Sequence, residues 1–161
     1  MATRCNIFVK IRKEDSGKTL RIDLDKITGA EYLKNLEFKT SRFEDITLKH
    51  DYIGIYNHWD GYPEGGVGLT LQNHYNSYDL ALNLVLGGNV STINTTYKPY
   101  ICMGDANWES EEPCQQDTEP KPTESYLYLF DNNQWWFKRY GDADWISLRW
   151  FFDEDTDWDD L

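Results

Sequence analysis

Two sets of residues in this chain could do chemistry: a histidine close to an acid, and three cysteines. His58 and Asp60 lie two positions apart in the stretch Y-N-H-W-D-G-Y-P-E-G-G at 56–66. An imidazole near a carboxylate is a pair that general acid–base catalysis uses. However, residues two apart share a face only while a strand continues, and Gly61 is expected to end the strand. We therefore expect a protein that is not an enzyme. The alternative is a metal-dependent enzyme that acts on nucleotides or nucleic acid through this pair.

Zinc is the cofactor that the cysteines and histidines allow, because it takes both residue types in tetrahedral sites. Cys102 and Cys114 are separated by eleven residues, and a metal bound to both would close the acidic stretch between them. Cys5 and His58 lie near predicted strand ends and would complete a set of four ligands. We expect such a site to be structural. The alternative is that Cys5 and Cys102 are small buried hydrophobic residues.

The charge of the chain is distributed unevenly along its length. The 161 residues carry 28 acidic against 16 basic side chains, for a net charge of −12. Residues 1–50 sum to +3 and residues 51–161 to −15. An acidic surface repels nucleic acid and attracts basic surfaces, including the channels in which other proteins hold nucleic acid. We therefore expect a protein partner and no direct binding of nucleic acid.

Alternation of apolar and polar residues predicts the strands that position these residues. The predicted strands are 4–12, 19–25, 46–48, 51–58, 97–103, 125–130, 134–140 and 145–152. The first two are expected to form a β-hairpin over residues 4–24, and D-N-N is expected to turn a second hairpin between 125–130 and 134–140.

Helices are predicted near the middle of the chain. A short helix is predicted at 28–36, and another begins near Val67. Asn76 or Ser77 can cap a second helical start, which Gly87 and Gly88 end. The resulting fold class is α+β: a mostly antiparallel sheet with one or two helices inserted near the middle and an acidic C-terminal tail. We expect residues 1–161 to form a single domain.

Acidic residues interleaved with aromatic residues are expected to form the partner-binding surface. They lie in a long acidic loop predicted at 104–124 and in an acidic, aromatic tail at 141–161. The alternative for such charge runs is a solvated chain end. The predicted partner-binding residues are Glu109, Glu111, Glu112, Asp117, Trp145, Trp150, Asp153, Glu154, Asp155, Asp157 and Trp158.

Two segments resemble a group of small proteins from phages, prophages and mobile elements. T-R-C-N-I at 3–7 matches their T-R-x-x-I start, and I-Y-N-H-W-D-G-Y-P-E-G at 55–65 matches their Y-x-H-x-D-G-Y-P-x-G motif before a helix. The resemblance covers residues 1–12 and most of 50–140. A segment at about 13–48, the acidic loop and the tail depart from it.

The resemblance implies a phage or mobile-element origin and brings no catalytic residues with it. Small acidic phage proteins are often counter-defence factors. We therefore expect an anti-CRISPR-like protein that binds a Cas effector, Cas9, and blocks the loading of target DNA. The sequence has no run of 18 apolar residues and no signal-peptide pattern at its start, so we expect it to act in the cytoplasm of the bacterial host and without a membrane.

Overall fold

A computed structural model describes residues 2–20, 46–93 and 112–159, the last six of these by their backbone alone. The described strands are β1 (Cys5–Lys10), β2 (Thr19–Leu20), β3 (Ile46–Thr47), β4 (Tyr52–Asn57), β5 (Cys114–Gln116), β6 (Tyr126–Asp131), β7 (Gln134–Arg139) and β8 (Ile146–Ser147). The described α-helices are α1 (Val67–His74), α2 (Tyr78–Leu86) and α3 (Leu148–Asp159). A short 3-10 turn spans Lys13–Asp15.

Six of the strands form one sheet in the order β5-β4-β1-β6-β7-β8. β1 and β6 run parallel, and the remaining neighbours are antiparallel. β2 and β3 form a separate antiparallel pair. The predicted α+β class with a mostly antiparallel sheet is therefore confirmed.

The sheet has two faces of different character, which follow from alternation along the strands. On the first, the helix face, Cys5, Ile7 and Val9 are fully buried and belong to the main core with residues of α1 and α2. On the opposite side, the second face, Phe8 and Leu129 are buried in a smaller cluster. This register decides which side chains of neighbouring strands can meet.

Ser77 caps α2 as predicted. Its Oγ accepts a hydrogen bond from the backbone N–H of Leu80 at 3.2 Å, and Asp79 lies in the first turn. At the other end, Gly88 has φ of 87°, a conformation that glycine adopts without strain. The helix therefore begins and ends at the residues that the sequence indicates.

Replacing Ser77 with alanine is expected to lower the free energy of unfolding by about 1 kcal/mol, because one helical N–H loses its acceptor. Urea denaturation measures this loss. Ser16→Ala is the matched control, since Ser16 is exposed and lies outside the α-helices. Equal effects of the two substitutions would contradict the capping role.

The hairpin predicted over residues 4–24 is wrong. β1 pairs with β4 on one side and with β6 on the other, so neither of its edges is open to a third strand. Thr19 and Leu20 pair with Thr47 and Ile46 instead. The hairpin predicted around D-N-N is confirmed as β6 and β7, with Asn132 and Asn133 both at positive φ.

The strand predicted at 145–152 is also wrong beyond Ser147. Only β8 is extended, and the chain then enters α3, where the Ser147 Oγ accepts a hydrogen bond from the Trp150 N–H at 3.3 Å. Leu148, Phe151 and Phe152 lie three and four positions apart and pack on the main core, which a helix allows and a strand does not. Residues 148–159 of the predicted tail are thus helical.

The acidic loop predicted at 104–124 is wrong at Cys114–Gln116, which form edge strand β5 against β4. The helix predicted at 28–36, the strand predicted at 97–103 and residues 104–111 of the loop lie outside the described residues. None of the helices in the described ranges has the length and apolar character that spanning a bilayer requires.

Candidate functional site

The motif at 56–66 joins the end of β4 to the start of α1. Asp60 has φ of 58°, and its carbonyl oxygen accepts a hydrogen bond from the Val67 N–H at 2.8 Å. The Gly61 N–H donates to the Thr3 carbonyl at 2.8 Å, just before β1 begins. The motif therefore ties three elements together at one end of the sheet.

His58 and Asp60 bond to different partners within the motif. The His58 Nδ1 lies 2.9 Å from the Tyr56 hydroxyl, and its ring meets the Trp59 ring edge-on at 4.7 Å between centroids. The Asp60 carboxylate accepts from the Tyr62 hydroxyl at 3.1 Å. The half-buried histidine is thus oriented by two aromatic neighbours.

Replacing His58 with alanine is expected to cost about 1–2 kcal/mol of unfolding free energy, since a hydrogen bond and a ring contact are lost together. Tyr56→Phe removes the same hydrogen bond from the other side. A double-mutant cycle in urea should therefore give a coupling of about 0.5–1.5 kcal/mol between the two positions. If the losses of the two single variants add up exactly in the double variant, the hydrogen bond between His58 and Tyr56 is contradicted.

A small cluster of buried polar side chains lies beneath the motif. Asn57 is fully buried, and its Nδ2 donates to the Trp59 carbonyl at 2.7 Å. The buried Tyr128 hydroxyl donates to the Gly61 carbonyl at 2.6 Å. Burial raises the pKa of the Cys5 thiol far above its ordinary value, and a hydrogen bond from Asn57 offsets only part of that rise. The Cys5 side chain is therefore a neutral thiol at pH 7.

Two of the predicted zinc ligands, Cys5 and Cys114, do not come together. Cys5 lies opposite Asn57 on the helix face, whereas Cys114 lies opposite Gly54, which shares the second face with Phe8. The sheet therefore lies between the two sulfur atoms, whereas a zinc ion bound to both would need each of them about 2.3 Å from the metal. Cys102 lies outside the described residues. Across residues 2–20, 46–93 and 112–159, no three His, Cys, Asp or Glu side chains are grouped to hold a metal. The predicted set of four ligands is therefore wrong in placing Cys5 and Cys114 on one metal ion.

The predicted partner-binding residues divide between opposite edges of the sheet. Glu112 and Asp117 flank β5 at one edge, and Trp145 and α3 lie near β8 at the other. Five strand spacings of about 4.8 Å place these edges about 24 Å apart. Glu109 and Glu111 lie outside the described residues. A partner surface that contacts both groups of residues at once would therefore have to extend across the whole sheet.

Asp117 and Trp145 already have partners within the chain. The His50 Nδ1 lies 3.2 Å from the Asp117 carboxylate, and this hydrogen bond lowers the pKa of Asp117. Trp145 packs on the second-face cluster, with the Lys138 Nζ at 4.7 Å from its ring centroid. Trp150, by contrast, is 58% exposed.

α3 gathers most of the remaining predicted residues into one element. Trp150 and Asp153 are exposed on it, and the helix continues through the positions of Glu154, Asp155, Asp157 and Trp158. The sequence prediction did not include the helix, and it also did not single out the basic residues of V-K-I-R-K at 9–13. These basic residues line a groove between the end of β1 and the β6–β7 hairpin.

No protein-family model, no curated protein and no solved structure matches this chain.

Proposed function

We propose that this protein is a counter-defence factor that acts by binding rather than by catalysis. It binds a host defence protein, Cas9 in the leading case, in the cytoplasm of the bacterial host. There it blocks the loading of target DNA by placing acidic surface in a basic nucleic-acid channel. The observation that carries the proposal is α3, an acid-rich helix anchored to the sheet.

The anchoring of α3 is apolar. Leu148 is fully buried, and the Phe151 ring meets the Phe137 ring of β7 edge-on at 5.3 Å between centroids. Phe152 packs against the main core next to Phe151. The first turn of α3 is therefore held on the sheet, and the acidic part follows from a defined starting point.

The charge density of that acidic part approaches that of DNA. Residues 153–159 contain five acids, Asp153, Glu154, Asp155, Asp157 and Asp159, all within the helix. Six helical rises of about 1.5 Å place them along about 9 Å of axis. This corresponds to roughly one negative charge every 2 Å, against one per about 1.7 Å of duplex DNA. A channel built for a DNA backbone would attract such a helix.

The same acids destabilise α3 as long as no partner is bound. They lie toward its C-terminal end, where the macrodipole favours cations, and α3 has no basic residue in its last turn. Like charges on neighbouring turns add repulsion. A basic partner surface would relieve both effects. Trp150, exposed one turn before the acids, is suited to serve as an aromatic anchor at the edge of the contact.

The test is the loading of target DNA onto purified Cas9 proteins from several bacteria, measured with and without this protein. We expect loading to be blocked for at least one of them, and the inhibition to weaken as salt rises, because exposed charges are screened. Unimpaired loading and cleavage with every Cas9 tested would overturn the proposal.

A further inference from the structure

A concave groove lies between the end of β1 and the tip of the β6–β7 hairpin. Its volume is about 390 Å³, within the range of small-molecule sites. The residues that line it include Lys10, Arg12, Lys13, Asp131 and Asn133. The lining thus carries three cations against one carboxylate, in a chain whose net charge is −12.

Arg12 is held in place although it is exposed. Its guanidinium carbon lies 4.1 Å from the ring centroid of Tyr78, and its Nη2 donates to the Asn133 Oδ1 at 2.8 Å. The Arg12 backbone N–H donates to the Tyr78 hydroxyl at 3.1 Å. That hydroxyl donates in turn to the Asp15 carboxylate at 2.8 Å. A guanidinium has five N–H donors, so most of them remain for a ligand.

The three cations have no carboxylate partner within the described part of the chain. The nearby Asp15 forms its ion pair with Lys18 at 3.1 Å, and none of Lys10, Arg12 and Lys13 forms an ion pair at 4.0 Å or less there. Three adjacent cations that form no ion pair among the described residues concentrate positive potential in this concavity.

We propose that this groove binds the phosphate groups of a small phosphorylated ligand of the nucleotide class. Arginine matches the geometry of phosphate oxygens with two parallel N–H donors, and the two lysines add point charges. The groove volume of about 390 Å³ leaves room beside the phosphate groups for the organic part of such a ligand. The Asn133 side chain supplies amide donors for it.

A free nucleotide fits this surface better than a nucleic-acid strand does. A strand would continue past the groove, and its flanking phosphates would meet a molecule of net charge −12. A nucleotide places all its charge at this basic concavity. The groove does not include any residue of α3, so this proposal is independent of the Cas9 proposal.

Isothermal titration of the full chain with ATP, ADP and pyrophosphate tests the proposal. We expect saturable binding of at least one nucleotide, and at least tenfold weaker binding by Arg12→Ala. Lys13→Ala should weaken binding several-fold without affecting folding, since Lys13 is exposed. Lys121→Ala, which changes the net charge equally at an exposed position outside the groove, should bind as the wild type does.

Three results would overturn the proposal. The first is no saturable binding of any of these compounds at millimolar concentration. The second is binding that Arg12→Ala and Lys13→Ala leave unchanged while circular dichroism shows both variants to be folded. The third is tighter binding of a single-stranded oligonucleotide than of the nucleotides, which would assign the groove to a different class of ligand.

Discussion

Replacing Trp135 with alanine is expected to lower the free energy of unfolding by about 4 kcal/mol, because a large aromatic side chain leaves the core. Trp135 is fully buried on the helix face and packs edge-on against Phe130 at 5.2 Å between centroids. Its Nε1 donates to the Tyr75 carbonyl at 3.0 Å, in the segment between α1 and α2. One side chain therefore joins β7 to the helices, and its removal leaves a large cavity.

Trp136→Ala is the matched control for this prediction. Trp136 is the next residue along β7, points to the second face and is only half-buried, and its Nε1 bonds to the Asp131 carbonyl of the same hairpin. We expect Trp136→Ala to lower the free energy of unfolding by about 1–2 kcal/mol, because one hydrogen bond and part of the buried apolar area are lost. Urea denaturation of both variants measures the difference, and a larger loss at Trp136 would contradict the assigned faces.

The second large effect is expected at Gly66 in the joint between β4 and α1. A Cβ at this position would lie 2.5 Å from the Tyr62 carbonyl oxygen and would also contact the Asp60 carbonyl oxygen. Both obstacles are backbone, so the turn itself must move. We expect Gly66→Ala to cost about 3 kcal/mol or more. A thermal or urea melt measures the loss.

Gly65→Ala, one residue earlier, separates crowding from backbone conformation. Gly65 has φ of 68°, but a Cβ there would meet no atom within 4 Å. Its substitution is expected to cost only about 1–2 kcal/mol, from the left-handed conformation. A larger loss of unfolding free energy for Gly65→Ala than for Gly66→Ala would contradict the close packing at Gly66.

Local sequence signals predicted the local structure well. Alternation identified β1 and β4, the D-N-N turn identified the β6–β7 hairpin, and Ser77 identified the start of α2. Each of these depends on residues close together in the chain. The turn at 56–66 is a local feature as well, because the predicted strand at 51–58 and the predicted helix start near Val67 flank it and its glycines and proline indicate a turn.

Long-range pairing could not be predicted in this way. Alternation along β1 gives its two faces but does not identify its neighbours, one of which is β6, about 120 residues later in the chain. The opposite faces of Cys5 and Cys114 follow only from the pairing of β4 with β1 and β5. The groove could not be predicted from local signals either, because Arg12 and Asn133 are far apart in the sequence and come together only in the folded chain.

The C-terminal helix was mistaken for a strand because its aromatic residues favour strands. The apolar packing of Leu148, Phe151 and Phe152 on the core decides otherwise. This difference matters for function, since a helix compresses the acids of 153–159 into about half the length that a strand would give them.

The proposal that α3 competes with DNA is tested most directly by two variants of equal net charge. The first neutralises the helix with Asp153→Asn, Glu154→Gln, Asp155→Asn and Asp157→Asn. The second neutralises four exposed acids elsewhere with Glu14→Gln, Asp51→Asn, Glu64→Gln and Glu119→Gln. The measurement is the loading of target DNA onto a Cas9 that the wild-type protein inhibits. We expect the second variant to block loading as the wild type does and the first to lose the block. Inhibition by the first variant at wild-type strength would contradict the role of α3.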